Sequence, residues 1–251
     1  MSNNKLRTVI EIVNKLRQDS TEPLSQRQSK CIEELVSLPN EYTQAIGKHA
    51  KDLLENLTIQ DEDYNGYYFQ VLIYTLIDRG EKEIAFLLLV QALYNTKAND
   101  NNRYVQILEE IDNSSIIPVF VDILPKLESF DEYSGHAQER IIEHLMQKDI
   151  RDAYSEVIKC LTDKADRVRA TVLQFIKKYD KKEAAPAMIA VLEKEDVQYN
   201  ILLILELFRK WKVQEALPLL IQHIKEDWVY EDEELLIPYQ ETINILNETV
   251  H

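Results

Sequence analysis

An all-α fold of stacked antiparallel helix pairs is what this chain of 251 residues predicts, and three observations predict it. Glycine stands at only four positions, Gly47, Gly66, Gly80 and Gly135, while Leu, Ile, Glu, Lys, Ala and Gln recur throughout, a composition of helix formers with few tight turns. A unit of about 32 residues repeats along the chain. Each unit carries apolar residues at helical rather than strand spacing. The length suits one large domain or an elongated repeat array, since a chain of this size buries roughly three-quarters of its unfolded surface.

The repeat is clearest toward the C-terminus. Ile176 to Ile189 reads IKKYDKKEAAPAMI, and Phe208 to Ile221, thirty-two positions later, reads FRKWKVQEALPLLI. Tyr179 matches Trp211, Glu183 matches Glu215, Ala184 matches Ala216 and Pro186 matches Pro218, with an apolar triplet after each proline. Weaker copies begin at Leu76, at Leu108 with Pro118 in the proline slot, and at Leu145 with Ser155 there. The anchors 76, 108, 145, 176 and 208 fall 32, 37, 31 and 32 residues apart. A loop insertion, Pro125 to Ser134 (PKLESFDEYS), accounts for the long interval.

Within a unit, helix A opens near the proline, where a missing N–H costs nothing. A short polar turn and helix B follow. In the best unit the turn is TDKAD and helix B is RVRATVLQFIKKY, with Val168, Val172, Ile176 and Tyr179 at helical spacing. Asp166 is the expected N-cap, and Lys177 and Lys178 oppose the negative end of the helix dipole. Tyr179 and Trp211 share one slot, expected to be inter-repeat core. The N-terminal quarter reads as three further helices, Lys5 to Gln18, Leu24 to Leu38 and Glu41 to Leu57. A C-terminal helix, about Glu233 to Glu248, follows the acidic linker EDWVYEDEE. Repeat arrays expose an apolar face at each end, so these atypical helices are expected caps.

The proline early in helix A, the apolar triplet after it, the acidic turn and the Val168-Arg169 pair opening helix B resemble the HEAT-repeat family. The resemblance covers about residues 66–226, and the turn motif is in good form only between Asp152 and Tyr179. It implies a right-handed α-α superhelix of about seven helix pairs forming a single domain over 1–251. Residues 1–65 would be the N-terminal cap, 66–226 the repeats, and 227–251 the linker and capping helix. It also implies that the B helices line a concave groove that receives a protein. The exposed B-helix slots, carried through the repeats, are Tyr67, Gln70 and Tyr74; Asn102, Gln106 and Glu109; His136, Glu139 and Glu143; Arg167, Gln174 and Lys177; and Tyr199, Glu206 and Arg209. Architecture, not chemistry, is what such a resemblance specifies.

Charge narrows the partner. Residues 1–57 carry eight basic and eight acidic groups, 58–135 five and fourteen, 136–225 sixteen and fourteen, and 226–251 none and eight, for a net −15. This distribution disfavours a phosphate backbone or an anionic membrane and favours a basic protein. Some alkylpurine DNA glycosylases built from HEAT-like repeats use a cationic track, and Lys177, Lys178, Lys181, Lys182, Arg209, Lys210 and Lys212 cluster at equivalent slots. The net charge speaks against nucleic acid, and compensation of helix dipoles accounts for those slots.

Catalytic motifs do not emerge. The chain has no Gly-rich phosphate loop, no Gly-x-Ser-x-Gly elbow and no Cys-His signature, and its paired carboxylates lie in linear acidic runs such as Asp61 to Asp63. His136, Glu139, Glu143 and His144 are the one local concentration of metal-ligating types. Their spacing matches neither Glu-x-x-His nor His-Glu-x-x-His, so a solvated polar face is expected and no metal or cofactor. Cys31 and Cys160, far apart in amphipathic runs, read as buried thiols. The N-terminus lacks the apolar core of a signal peptide, and the longest apolar stretch, Ile84 to Leu93, is about half a membrane span. A cytoplasmic, non-enzymatic protein-binding scaffold is the expected function. A sharper alternative is an immunity or inhibitor protein that neutralises a basic toxin or nuclease, and an enzymatic alternative is a phycobilin-lyase-like HEAT protein.

Overall fold

Among the described residues four helices end in the same way, and that ending is the structural form of the repeat. The computed structural model describes residues 3–17, 21–55, 65–95, 101–111 and 115–248. In it Gly80, Asp149, Asp180 and Lys212 adopt left-handed backbone, with φ of 84°, 56°, 51° and 54°. The next residue then donates its N–H back to the helix: Glu81 to Leu76 O (2.8 Å), Ile150 to Leu145 O (2.9 Å), Lys181 to Ile176 O (3.1 Å) and Val213 to Phe208 O (3.1 Å). These are Schellman turns, which satisfy carbonyls left over at a helix end. Their acceptors are the anchors 76, 145, 176 and 208 of the sequence repeat, so the period of 31–32 residues counts one chain reversal per unit.

Every element among the described residues is helical. The chain clusters into two compact units, residues 1–119 and 120–251. The first contains α1 (Asn3–Val13), α2 (Leu24–Ser37), α3 (Thr43–Leu54), α4 (Asn65–Asp78), α5 (Lys82–Tyr94) and α6 (Asn101–Ile111), and α7 (Ile116–Ile123) crosses the division. The expected N-terminal helices are present; α1 begins two residues earlier, at Asn3, and residues 14–17 and 40–42 are 3-10 turns. Gln18, Asn56 to Leu57 and the acidic run Asp61 to Asp63 lie outside the described residues.

Helix α4 is the hub of the first unit, packing against α2, α3 and α5. It buries Tyr68, Phe69, Gln70, Val71, Leu72, Ile73, Thr75 and Leu76, and Phe69 meets Tyr104 of α6 edge to face at 5.5 Å. Just past α4, Arg79 reaches the end of α2. Its guanidinium donates to the carbonyls of Leu35 (3.2 Å), Val36 (3.1 Å), Leu38 (2.9 Å) and Pro39 (3.0 Å) and to Thr43 Oγ1 (3.1 Å). A planar fork with five donors suits this cluster of acceptors, where a Lys ammonium would not. The Nδ2 of Asn95, which follows α5, donates to Leu54 O (2.8 Å) at the end of α3.

The second unit contains α8 (His136–Gln147), α9 (Tyr154–Val157, continued as a 3-10 turn to Thr162), α10 (Asp166–Tyr179), α11 (Ala185–Leu192), α12 (Gln198–Trp211), α13 (Leu217–His223), α14 (Asp227–Tyr230) and α15 (Glu233–Glu248). After each left-handed residue, a 3-10 turn at 151–153, 182–184 or 214–216 leads into the next A helix. Pro186 and Pro218 sit in the first turns of α11 and α13. The B helices α8, α10 and α12 pack side by side, and α15 takes the next place against α12. The apolar face of α10, namely Val168, Val172, Phe175 and Ile176, is fully buried.

Two expectations need correction. Asp166 is the first residue of α10, not its cap; Ala165 precedes the helix, and its N–H is taken up by Asp163 Oδ1 at 2.9 Å. Trp211 is buried at 7% exposure, but Tyr179 in the same slot is only half-buried. Both aromatics nevertheless reach back to the preceding turn. Trp211 Nε1 donates to Asp180 Oδ1 (2.8 Å), and the Tyr179 hydroxyl donates to Met146 O (3.4 Å). The smaller phenol leaves its ring open to Arg151 and Lys178, whose cations lie 5.6 and 5.3 Å from its centroid. Cys31 and Cys160 are buried thiols, and burial pushes Cys160 up to about 12.

Left-handed backbone costs an ordinary L-residue about 1–2 kcal/mol, and glycine is spared it. Lys212→Gly should therefore raise stability, by up to about 1 kcal/mol after the flexibility that glycine adds to the unfolded chain. Asp180→Gly should gain nothing, because the same change removes the acceptor of Trp211. Urea denaturation midpoints of the two variants read this contrast.

Candidate functional site

Polar side chains of neighbouring B helices meet in a series of cross-helix bonds along the second unit. At the start of α8 and α10, Arg167 Nη1 lies 3.0 Å from His136 Nδ1 and donates to Glu139 Oε2 at 3.3 Å. From the middle of α10, Gln174 Nε2 donates to the hydroxyl of Tyr199, whose side chain reaches over from the start of α12, at 3.0 Å. Near the ends of α10 and α12, Lys177 pairs with Glu206 at 2.8 Å. The series continues to α15, where Gln198 Nε2 meets Glu234 Oε2 (2.9 Å) and Arg209 Nη1 meets Thr242 Oγ1 (2.9 Å). Start pairs with start and end with end, so the B helices run parallel. The expected slots His136, Glu139, Arg167, Gln174, Lys177, Tyr199, Glu206 and Arg209 thus share one face.

That face is open but internally ordered. Tyr199 is exposed, as are Gln174, Lys177, Glu206, His136 and Glu143. Pairs of this kind at the surface contribute about 0–1 kcal/mol each, so their main effect is to hold long side chains in defined places. Arg167 lies against both His136 and Glu139. Among the described residues no cluster of His, Cys, Asp and Glu is arranged to hold a metal ion.

In the first unit the expected slots behave differently. Gln70 is buried at 8% exposure, because α4 packs on nearly all sides and has no open B face at that position. Tyr74 is half-buried under Arg103, whose Nη2 donates to its hydroxyl at 2.6 Å, and burial first of all raises its phenol above the ordinary value. Arg103 also donates to Gln106 (2.6 Å), and Gln106 donates to Glu110 (3.2 Å). Tyr67 and Glu109 are half-buried, and Asn102 is exposed. Tyr74 and Gln106 are therefore joined through Arg103.

Charge on the second unit is sorted by the parallel B helices. At their N-terminal ends the turns carry Glu128, Asp131 and Glu132, then Asp163 and Asp166, then Glu193 and Asp196, then Glu226, Asp227, Glu231 and Asp232. At their C-terminal ends stand Lys177, Lys178, Lys181, Lys182, Arg209, Lys210 and Lys212. This is the sorting that aligned helix dipoles favour. The basic residues are mostly engaged: Lys178 Nζ donates to Met146 O (2.5 Å), Lys210 to Asp180 (2.5 Å), and Lys181 lies over the Tyr154 ring (4.9 Å). Bonds from Lys210 and Trp211 hold the Asp180 carboxyl below its usual range, and Arg151 does the same for Asp149.

At the acidic end lies a cavity of about 620 Å³, lined among others by Glu132, Asp163, Lys164, Asp166, Arg169, Lys194, Glu195 and Asp196. Its inner wall is a buried ion pair. Arg169 Nε and Nη2 grip the two oxygens of Glu195 at 2.7 Å each, and the Glu195 side chain is 0% exposed. Arg169 also donates to the carbonyls of Asp163 (3.0 Å) and Lys164 (2.8 Å), while Val197 N and Asn200 Nδ2 donate to Glu195 (3.2 and 3.3 Å). The bidentate bond raises the Arg169 guanidinium further above its ordinary value. Arg169 was visible in the sequence within the Val-Arg pair; Glu195 was one acid in an acidic turn, and nothing local marked it as the partner.

Comparisons of the chain with protein-family models and with curated proteins find no match. Among the described residues no helix is long and apolar enough to cross a membrane.

Removing Arg169 would strand a carboxylate that water does not reach. Arg169→Ala should destabilise the second unit by about 3–5 kcal/mol, and Glu195→Gln, which keeps the bonding shape without the charge, by less. Thermal melts of both variants check the order.

Proposed function

We propose that the protein is a non-enzymatic, cytoplasmic protein-binding scaffold, a HEAT-like right-handed solenoid of about seven helix pairs that takes a basic protein on its B-helix face. The observation that carries this reading is the cross-helix series itself. Two neighbouring parallel helices, α10 and α12, present Gln174, Lys177, Tyr199 and Glu206 together, exposed and already ordered. Side chains fixed before binding lose less entropy on binding. Tyrosine adds a rigid amphipathic contact of the kind enriched in binding hot spots. The net charge of −15 supports a basic partner and rapid, steered capture. The sharper form, an immunity or inhibitor protein against a basic toxin or nuclease, rests on that charge alone.

The test begins with affinity capture from the native cell and identification of the partner by mass spectrometry. Tyr199→Ala combined with Glu206→Lys should weaken the purified complex at least tenfold. The same changes should move stability by only about 1 kcal/mol or less, since both side chains are exposed. An unchanged affinity would exclude this face as the binding surface.

A further inference from the structure

The insertion that lengthens one repeat builds a second recognition element in the second unit. The turns entering α10 and α12 are short, but the segment between Lys126 and His136 is nine residues long, and it is firmly held. Leu127 and Ser129 are buried, and Gln138 Nε2 reaches Ser129 Oγ at 3.4 Å. Gly135 has φ of 85° and packs so closely that an added Cβ would lie 2.5 Å from Val168 and 2.9 Å from Ala165. At the tip, Asp131 Oδ1 accepts from the N–H of Tyr133 (3.1 Å) and Ser134 (2.9 Å), while Ser134 Oγ accepts from Asp131 N (3.1 Å).

This scaffold turns two aromatic side chains outward. Phe130 is 69% exposed and Tyr133 73% exposed, on a chain whose other phenylalanines 69, 86, 120, 175 and 208 are all buried. Glu132, between them, lines the cavity described above. Of the cavity's charged side chains, Arg169 and Glu195 satisfy each other, which leaves Glu132, Asp163, Asp166 and Asp196 against Lys164 and Lys194. A net acidic recess beside two exposed rings suits a cation on an apolar stem, since carboxylates attract the head group and aromatic faces take both stem and charge.

We infer that the loop 127–135 and the adjoining acidic recess form a docking site for a basic, extended segment of a partner protein. It is separate from the B-helix face and stands whether or not that face binds. The probe is a fluorescein-labelled peptide of alternating cationic and small residues, KARAKARA, followed by anisotropy at low and moderate salt, with EAEAEAEA as its charge-reversed counterpart. The parent should bind the basic peptide and not the acidic one. Phe130→Ser with Tyr133→Ser, and separately Glu132→Lys with Asp196→Lys, should each weaken binding at least tenfold, with circular dichroism melts close to the parent's. Tyr199→Ala with Glu206→Lys, on the B-helix face, should leave it within twofold. Equal loss in all three variants would reduce the effect to general acidic attraction and overturn the inference. So would full binding by the Phe130/Tyr133 variant, or the finding by sedimentation that the loop instead mediates self-association of this chain.

Discussion

A left-handed residue one or two steps beyond each of the B helices α8, α10 and α12 is the constraint from which the second unit follows. Asp149, Asp180 and Lys212 turn the chain back after a fixed length of helix, and the Schellman bonds to Leu145, Ile176 and Phe208 close the helix end as the turn is made. Because the turn recurs at nearly constant spacing, the B helices start and stop in register and run parallel. Parallel alignment in turn sums their dipoles, which accounts for acids at one end and bases at the other. Two of the three strained positions are aspartates, and Asp180 offsets its backbone cost by accepting from Trp211 and Lys210 of the following helix. The residue that reverses the chain is thus also the residue that ties one repeat to the next.

Much of this was legible in the sequence. The helical class, the period, the insertion at 125–134 and the C-terminal helix all rest on apolar spacing and proline placement, which act through local backbone geometry. What could not be read depended on through-space partners. The turns use Asp and Lys where glycine would have signalled left-handed backbone. Gln70 aligned with an outward slot, yet its helix is surrounded. Tyr179 aligned with Trp211 and reaches back in the same way, but a phenol covers less of the interface than an indole. Arg169 and Glu195 are twenty-six residues apart, among many other charges, and only the packing of consecutive turns pairs them. Phe130 and Tyr133 are residue types that ordinarily mark core, and their exposure comes from the Asp131–Ser134 turn beneath them.

The candidate site departs from its sequence reading in the state of its side chains. In the second unit its exposed slots do fall on one surface, but they bond to each other across helices instead of standing alone. On this surface Glu139 pairs with Arg167 and Glu206 with Lys177, and His136 is shared with Arg167 and Glu139. The result is a polar face whose side chains are held in place by their neighbours. The turns at the N-terminal ends of the B helices are acidic, and the loop at 127–135 exposes Phe130 and Tyr133, the most exposed of the unit's large apolar side chains.

The proposed contact of the second unit with a basic protein uses side chains that are exposed in the free chain. Hydroxyl-radical footprinting of the chain alone and with its captured partner reads those side chains directly. Tyr199 on the B-helix face, and Phe130 and Tyr133 on the loop, should lose reactivity in the complex, while the exposed Trp228 and Tyr230 keep theirs. Protection confined to residues 1–119, or none at Tyr199, Phe130 and Tyr133, would contradict it.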